Sequence, residues 1–340
     1  MPIPEKLKFY AKQLGYSNSE TMGKILSLIF NTNEKQDIAA ALPGNNVRLA
    51  ALTGIPLEIV EKSLAELRHM GAVCKNQRKS HEDEFLLYPG IIEIRDAVLL
   101  CPDVDSEMVE MWDYIIREEM PEMIIPKWTE METPPLMRTI PIEETVESNS
   151  KVLDVDSARS LIENAEQIVA IPCVCRLSRH HLNKSPDCPA PKDLDLCMLF
   201  NRFGNEAIDR GIGTLLSKEE AIQRLKAAED AGLVHMTRNN VKKDMSLCNC
   251  CSCCCTGLFL VNQINYSAFV PSRFGVKLIE EECVGCETCV DRCQFHAIAV
   301  DDIAQIDPDK CFGCGNCVQT CPSGALFLVE MRPKEFIRST

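Results

Sequence analysis

Two matching cysteine runs near the C-terminal end constrain this chain more than any other feature of its sequence. Each run has the spacing C-x2-C-x2-C-x3-C, and both lie within residues 283–321. A loop with this spacing wraps three thiolates around one face of an iron–sulfur cubane, and the fourth cysteine reaches across to a second cluster. Zinc sites favour two CxxC pairs that lie far apart, so the runs predict two [4Fe–4S] clusters. The cysteines are Cys283, Cys286, Cys289 and Cys293 in the first run and Cys311, Cys314, Cys317 and Cys321, followed by Pro322, in the second.

This part of the chain, about residues 276–330, resembles the bacterial two-cluster ferredoxin domain. The resemblance implies that each cluster takes three thiolates from one run and the fourth from the other. It also implies a hairpin over Ile298 to Ile306, and Gly313 and Gly315 suit a tight loop around sulfide. The first run ends in Cys293-Gln294, where the family often has proline, which changes loop stiffness rather than ligation. The implied ligand sets are Cys283, Cys286, Cys289 and Cys321 for one cluster, and Cys311, Cys314, Cys317 and Cys293 for the other.

Ten further cysteines in the middle of the chain predict additional metal binding. Three of them, Cys248-x2-Cys251-x2-Cys254, repeat the spacing that wraps a cubane face. Ten thiols suffice for two more [4Fe–4S] clusters with two to spare. Either each of two segments holds its own cluster, or ligands from both segments close one site, and the sequence leaves both arrangements open. The ten are Cys173, Cys175, Cys188, Cys197, Cys248, Cys250, Cys251, Cys253, Cys254 and Cys255.

The first four of these cysteines are also candidates for a structural zinc site, because their irregular spacing suits a tetrahedral ion. Nearby, Arg176, Arg179 and Lys184 are candidate hydrogen-bond donors to cluster sulfides, which would raise the reduction potential. His180 and His181 are further candidate ligands, although the cysteines suffice without them. The zinc alternative concerns Cys173, Cys175, Cys188 and Cys197.

The cysteine content also predicts where the protein works. The chain has 20 cysteines in 340 residues, and Met1–Tyr10 lacks the apolar core of a secretion signal. Clustered cysteines without such a signal indicate metal ligation in a reducing compartment. We therefore expect a cytoplasmic protein of an anaerobe, with Cys74 and Cys101 as isolated buried thiols. The sequence has no stretch of 18 apolar residues, so no membrane span is expected.

The net charge of −14 is concentrated in residues 101–150, which have 13 acidic and 3 basic side chains. Such a surface disfavours nucleic acid and would steer a basic protein partner. A helix is expected over Glu107–Glu119. The prolines that follow predict an extended connection over about 120–145.

Residues 1–100 have the order of a winged helix-turn-helix, which they resemble. Apolar periodicity predicts helices over about 20–31, 46–53 and 57–70, the last ending at Gly71. Two short strands would form the wing. They are Ala72–Lys75 and Glu84–Tyr88.

The charge of this segment argues against DNA binding. The helix that would enter the major groove carries Glu58, Glu61 and Glu66 against Lys62 and Arg68. A DNA-binding face should be basic. We therefore expect this segment to dock a protein.

The middle segment combines helices and strands. A helix over about 156–166 leads into a strand over Ile168–Pro172. Another helix, Lys218–Ala231, begins with a capping box formed by Ser217 and Glu220, and a strand follows over 233–236. The expected fold class is α+β with four parts: a winged-helix-like docking domain (1–100), an acidic linker (101–150), a Cys-rich iron–sulfur domain (151–270) and a two-cluster ferredoxin domain (271–340).

The sequence contains no Gly-rich dinucleotide loop and no P-loop. The leading hypothesis is an electron-transfer protein, a subunit or donor of a larger oxidoreductase whose partner binds flavin or NAD(P). As a whole the chain resembles ferredoxin-type iron–sulfur proteins of anaerobes, with a Cys-rich middle before a two-cluster domain. One alternative is a redox-sensing transcription regulator. The other is a catalytic iron–sulfur enzyme whose middle cluster has an open iron site.

Overall fold

The computed structural model describes residues 1–76, 79–81, 83–146, 156–241 and 245–339. Its mixture of helices and strands confirms the α+β fold class. The chain forms two compact units. The first contains residues 1–133, 177–184 and 206–212, and the second contains residues 134–176, 185–205 and 213–340.

In the part that the structure describes, the first unit is helical apart from one small hairpin. Its buried core contains large side chains such as Trp112, Tyr10 and Phe30. The hairpin strands pair antiparallel, with Val73 opposite Leu87. The elements are α1 (Lys8–Leu14), α2 (Glu20–Ile29), α3 (Asn33–Ala41), α4 (Asn46–Thr53), α5 (Leu57–His69), β1 (Val73–Lys75), β2 (Phe85–Leu87), α6 (Ile91–Leu99), α7 (Ser106–Tyr114), a π-helical turn (Ile115–Glu119), α8 (Met120–Met123) and α9 (Ile125–Glu130).

Side-chain caps explain where several of these helices begin. The oxygens of Ser19, Thr32, Asn45 and Asp105 accept hydrogen bonds from backbone N–H groups in the first turns of α2, α3, α4 and α7. Helix α5 ends as predicted before Gly71, which has a φ of 78°. The predicted helices and strands over residues 20–88 are therefore present, with one additional helix, α3, that was not predicted.

The prediction of an extended connection over about 120–145 is wrong for its first half, which is helical. Pro121 and Pro126 lie in the first turns of α8 and α9. Proline is tolerated there because an N–H at that position has no intrahelical acceptor. Proline therefore marked helix starts here rather than extended chain.

A seven-stranded sheet dominates the second unit. Its strand order is β6-β4-β5-β8-β7-β3-β9, and neighbours are antiparallel except β3 and β9. Helix α13 begins with the predicted capping box of Ser217 and Glu220. The elements are β3 (Met137–Ile140), α10 (Ala158–Asn164), β4 (Ile168–Ile171), α11 (Val174–His181), β5 (Cys197–Phe200), α12 (Arg202–Asp209), β6 (Thr214–Leu216), α13 (Lys218–Asp230), β7 (Val234–Arg238), β8 (Ser246–Cys250), α14 (Thr256–Ile264) and β9 (Phe269–Val270). Helices α11 and α12 contain residues of both units.

The C-terminal part of the second unit contains two small antiparallel sheets and two short helices. The predicted hairpin is present, with Ile298 opposite Ile306. The elements are β10 (Phe274–Leu278), α15 (Thr288–Arg292), β11 (Ile298–Val300), β12 (Ala304–Ile306), α16 (Asn316–Gln319) and β13 (Leu326–Glu330), with β10 pairing β13. Among the described helices, none is long and apolar enough to cross a lipid bilayer.

Candidate metal centres

The two C-terminal cysteine runs surround two cavities of similar size. The first cavity is about 320 Å³ and the second about 310 Å³, including space open to solvent. Each cavity contains three cysteines of one run and one of the other. Cys283, Cys286, Cys289 and Cys321 line the first cavity, and Cys311, Cys314, Cys317 and Cys293 line the second. Four thiols around one cavity are a donor set that fits a [4Fe–4S] cluster.

Tight backbone turns shape the loops around both cavities. Gly313 and Gly315 have φ values of 60° and 90°, in the left-handed region that favours glycine. A Cβ atom on Gly313 would lie 2.1 Å from the carbonyl oxygen of Phe274. The loop of the second run therefore needs glycine at this position.

The thiols of the two cavities differ in their surroundings. A hydrogen bond with Thr288 lowers the pKa of Cys286, which is exposed. Burial raises the pKa of Cys314 to about 12. Backbone N–H groups of Ala304 and Ala297 donate to the sulfur atoms of Cys283 and Cys293, at 3.4 Å and 3.3 Å. Such N–H donors stabilise thiolate ligands and raise cluster potentials.

Six of the middle cysteines form one group, called here the six-thiol group. Cys173 hydrogen-bonds with Cys175 and Cys197. Cys197 contacts Cys248, and Cys255 contacts both Cys175 and Cys250. Neighbouring thiols and burial raise the pKa values of Cys173 and Cys255, so these groups favour the neutral form without a cation. The members are Cys173, Cys175, Cys197, Cys248, Cys250 and Cys255.

Strand pairing brings the six-thiol group together. Ile171, the last residue of β4, pairs with Cys197, the first residue of β5. Met198 of β5 pairs with Leu247 of β8, which places Cys248 beside Cys197. Cys248 and Cys250 are two residues apart on β8 and share one face of that strand. The sheet therefore joins segments that lie far apart in the sequence.

Arg176 is the predicted cation that lies beside this group. It is buried, and its guanidinium donates to the carbonyl oxygen of Asn249 at 2.9 Å. Burial alone would lower its pKa, but the nearby sulfur atoms of Cys173 and Cys197 outweigh burial and raise it. Arg176 therefore supplies positive charge to a pocket of thiols.

The other four middle cysteines form a tighter set, called here the four-thiol group. It consists of Cys188, Cys251, Cys253 and Cys254, whose sulfur atoms all lie within 4.8 Å of one another. The sulfur atoms of Cys188 and Cys251 are 3.6 Å apart, as are those of Cys253 and Cys254. Hydrogen bonds from the other three thiols lower the pKa of Cys188 far below its usual value.

This grouping agrees with the mixed arrangement, in which both middle segments contribute to a site. It does not agree with the arrangement in which Cys188 joins Cys173, Cys175 and Cys197. The spacing Cys248-x2-Cys251-x2-Cys254 does not form one cubane face either, because Cys248 belongs to the six-thiol group. Of the four cysteines considered for zinc, Cys188 therefore lies with Cys251, Cys253 and Cys254 and not with the other three.

Several other predicted residues lie elsewhere. The side chains of Arg179 and Lys184 approach Asp113 at 3.4 Å and 2.7 Å. His181 hydrogen-bonds with Ser106 at 2.8 Å. The group that contains Cys188 takes no histidine. Arg179, Lys184 and His181 thus have structural partners outside the two thiol groups.

Cys101 is buried but not isolated. Its sulfur atom lies within 4.8 Å of donor atoms of His69 and Asp103. His69 and Asp103 hydrogen-bond at 2.7 Å, and both are exposed. Cys74 has a pKa raised to about 12, mainly by burial. Its side chain is partly buried.

Sequence reasoning missed a buried polar pair beneath the six-thiol group. Asn249 lies between Cys248 and Cys250 and donates to the carbonyl oxygen of Leu196 at 2.6 Å. Its side-chain oxygen is 2.6 Å from Nδ1 of His235 on β7. These bonds hold β8 against its neighbours. The signal in the sequence was the position of Asn249 between two cysteines.

Comparison with known proteins identifies one segment of the chain. Residues 282–325 match the family described as the 4Fe-4S dicluster domain. These residues form a ferredoxin-type iron–sulfur domain, within the predicted range of about 276–330. No curated protein and no solved structure matched the chain significantly. The domain and the cysteine groups indicate an iron–sulfur redox function. The middle cysteines lie outside the matched segment.

Proposed function

We propose that this protein carries low-potential electrons, through two or more [4Fe–4S] clusters, to or from a partner oxidoreductase. Bound clusters would supply the one-electron chemistry. In this proposal Cys283, Cys286, Cys289 and Cys321 hold one cluster, and Cys311, Cys314, Cys317 and Cys293 hold the other. The lining of the two cavities and the match to a dicluster domain support this assignment.

One observation supports including the middle cysteines in the electron-transfer path. A continuous apolar core links the cysteine sites of the second unit. Cys250 and Cys255 of the six-thiol group belong to a buried apolar cluster, and the partly buried Cys293, Cys311 and Cys314 of the second cavity pack against it. A second buried cluster contains Cys289 of the first cavity and Cys317 of the second, and the partly buried Cys283, Cys293 and Cys321 pack against it. Packed apolar side chains therefore connect the six-thiol group with the second cavity, and the second cavity with the first.

Aromatic packing reinforces this connection. The rings of Phe295 and Phe312 stack at 4.2 Å with an interplanar angle of 4°. Both residues line the second cavity and pack in the apolar cluster shared with the six-thiol group. Phe295 is 4% exposed, and Phe312 is partly buried. We infer a third [4Fe–4S] cluster in the six-thiol group, bound by four of its six thiols.

Of the three proposed cluster sites, the first cavity is the one that a partner would approach. Cys286 is exposed, and the neighbouring Val284 is 69% exposed. Exposed carboxylates surround it, which favours a basic partner and a rate that falls with ionic strength. They are Glu280, Glu281, Glu282, Glu287, Asp301 and Asp302.

The N-terminal segment supports protein docking rather than DNA binding. In this proposal residues 1–100 form a winged-helix-like docking domain. The exposed surface of α5 includes Glu58, Glu61 and the apolar Leu57 and Ile59. The acidic side chains would repel the phosphates of DNA, and the apolar side chains would not bind them. The other parts of the proposed domain division are the acidic linker, the Cys-rich domain and the ferredoxin domain. The proposed partner is a flavin- or NAD(P)-binding subunit.

The test is to remove the second ferredoxin cluster, which lies between the first cluster and the six-thiol group in the proposed path of the electrons. In the anaerobic full-length protein, Cys311→Ser removes a thiol of the second cavity. We expect reduction of the middle cluster by dithionite, followed by freeze-quench EPR, to slow severalfold. Cys101→Ser, which lies in the other unit, should leave the rate unchanged. Reduction of the middle cluster at the full rate in Cys311→Ser would show that electrons do not reach it through the second cavity. Wild-type protein with iron for only two clusters would show that the six-thiol group binds no cluster.

A further inference from the structure

The four-thiol group differs from every other cysteine site in the spacing of its sulfur atoms. All four lie within 4.8 Å of one another. Among the described residues, which include all twenty cysteines, the ligand candidates of the two ferredoxin cavities contain no three sulfur atoms that close together. The six-thiol group contains none either. The molecule thus has one tight set of thiols and three wide ones.

This spacing decides between a single ion and a cluster. A tetrahedral zinc ion with Zn–S bonds of about 2.3 Å places its sulfur ligands about 3.8 Å apart. Two of the separations here are 3.6 Å. A cubane places a different iron atom under each thiolate, so its ligands lie farther apart than those of one ion. The four-thiol group is too tight for a cubane and has the spacing of one tetrahedral ion.

We propose that Cys188, Cys251, Cys253 and Cys254 bind a single zinc ion in a closed tetrathiolate site. Tetrahedral sulfur coordination suits zinc or iron, and zinc binds a given donor set more tightly than Fe²⁺. Four thiolate ligands leave no open position, so the ion is structural. The proposal does not depend on electron transfer.

The site joins two segments that are distant in sequence. Cys188 comes from the connection between α11 and β5, and the other three cysteines come from the loop after β8. An apolar cluster surrounds the group, with Leu196, Ala228 and Leu233 buried against Cys251 and Cys254. The hydroxyl of Ser185 also donates to the carbonyl oxygen of Cys253 at 2.9 Å, which ties the same two segments together.

The ion would also shape the neighbouring six-thiol group. Cys250 and Cys255 flank the loop residues of the four-thiol group and belong to the other set. Holding Cys251, Cys253 and Cys254 on one metal therefore directs Cys250 and Cys255 to the opposite side. One loop of six residues serves two metal sites in this way.

Metal analysis of matched variants tests the proposal. Full-length protein is purified anaerobically, reconstituted with iron and sulfide, passed through EDTA and assayed for zinc and iron. We expect about one tightly held zinc per wild-type chain. Cys253→Ala should lose it and keep the iron of the ferredoxin domain. The matched control is Cys286→Ser, since Cys286 is also an exposed cysteine; it should lose iron and keep zinc.

A third variant controls for another source of zinc, and a direct measurement identifies the ligands of the ion. Cys101→Ser should keep the zinc, which excludes the group of His69, Cys101 and Asp103 as its source. Zinc-edge X-ray absorption of the wild type should show four sulfur ligands at about 2.3 Å, and it needs no variant to fold. Wild-type protein without zinc, zinc retained in Cys253→Ala, zinc lost in Cys101→Ser or an oxygen-rich zinc shell would each overturn the proposal. Iron in place of zinc at these four thiols would also overturn it.

Discussion

The ferredoxin region and the middle region both gather cysteines, but by different means. In the ferredoxin region each cavity takes three cysteines from one continuous run, so the grouping follows from spacing within a single loop. In the middle region the ten cysteines extend over residues 173–255 and separate into a six-thiol and a four-thiol group. Sequence spacing therefore reports a metal site reliably only where one loop surrounds it.

The loop 250–255 shows why spacing misleads in the middle region. The neighbours Cys250 and Cys251 belong to different groups, and so do Cys254 and Cys255. Cys253 and Cys254 are also adjacent, yet their sulfur atoms are 3.6 Å apart in the same group. Adjacent cysteines thus enter different groups in two of these pairs and the same group in the third. The path of the backbone decides each case.

The largest effect should come from a ligand in a continuous run. Cys314→Ser is expected to lose about four iron atoms per chain and to abolish electron transfer, because losing one of four thiolates weakens the binding of the cluster. Residues 1–100 should remain folded, as hydrogen exchange would show. The measurements are iron content and the rate of electron transfer from reduced protein to an acceptor dye. A variant that transfers electrons at the full rate would contradict the assignment of this cavity.

A second prediction tests whether the sheet, rather than the loop, holds the middle site. Leu247 is fully buried in β8, and Leu247→Ala should cost about 2–5 kcal/mol of unfolding free energy. We expect the middle metals to be released at lower urea than the ferredoxin iron.

The matched control for this variant is Leu326→Ala, in the buried cluster of the ferredoxin region. It should release ferredoxin iron first. The measurement is metal content across a urea series. If both variants lose all metals in one step, the two regions do not differ as described.

The third prediction concerns the charge beside the six-thiol group. Arg176→Met removes a buried cation, which should lower the reduction potential of the middle cluster by about 60 mV, a tenfold change in a one-electron equilibrium. The control is Arg179→Met on the same helix, whose guanidinium lies 3.4 Å from Asp113. Potentiometric EPR titration measures both. Equal shifts of the reduction potential in the two variants would mean that the charge of Arg176 beside the thiols has no specific effect on the cluster.

The smallest effect involves a cysteine of neither region. Burial raises the pKa of Cys74 to about 12, whereas an unfolded cysteine has a pKa of about 8.5. The folded state therefore binds this proton more tightly, and the stabilisation is complete below about pH 8.5 and is lost as the pH rises through about 12.

Urea unfolding of the wild type and Cys74→Ala across this pH range isolates that contribution. The stability of the wild type relative to the variant should fall as the pH rises, while the metal content of both stays equal. A relative stability that is constant with pH would show that Cys74 does not titrate differently in the folded protein.

Much of the fold could be predicted from local patterns. Helix α13 was recognised from its capping box of Ser217 and Glu220, and α5 from its apolar face and Gly71. The hairpin of Ile298 to Ile306 was also correct. Pro121 and Pro126 misled, because a proline in a first helical turn and a proline in extended chain look the same in sequence.

The sequence by itself determined the ferredoxin-type domain and the presence of a second cysteine-rich region. Thiol spacing within one loop specifies geometry over a few residues, and this information is local. Only the tertiary structure decided how the middle cysteines divide. The pairing of β4, β5 and β8 places Cys173, Cys197 and Cys248 side by side, and the loop after β8 brings Cys251, Cys253 and Cys254 to Cys188. These contacts depend on strand register between distant segments, which no spacing along the chain records.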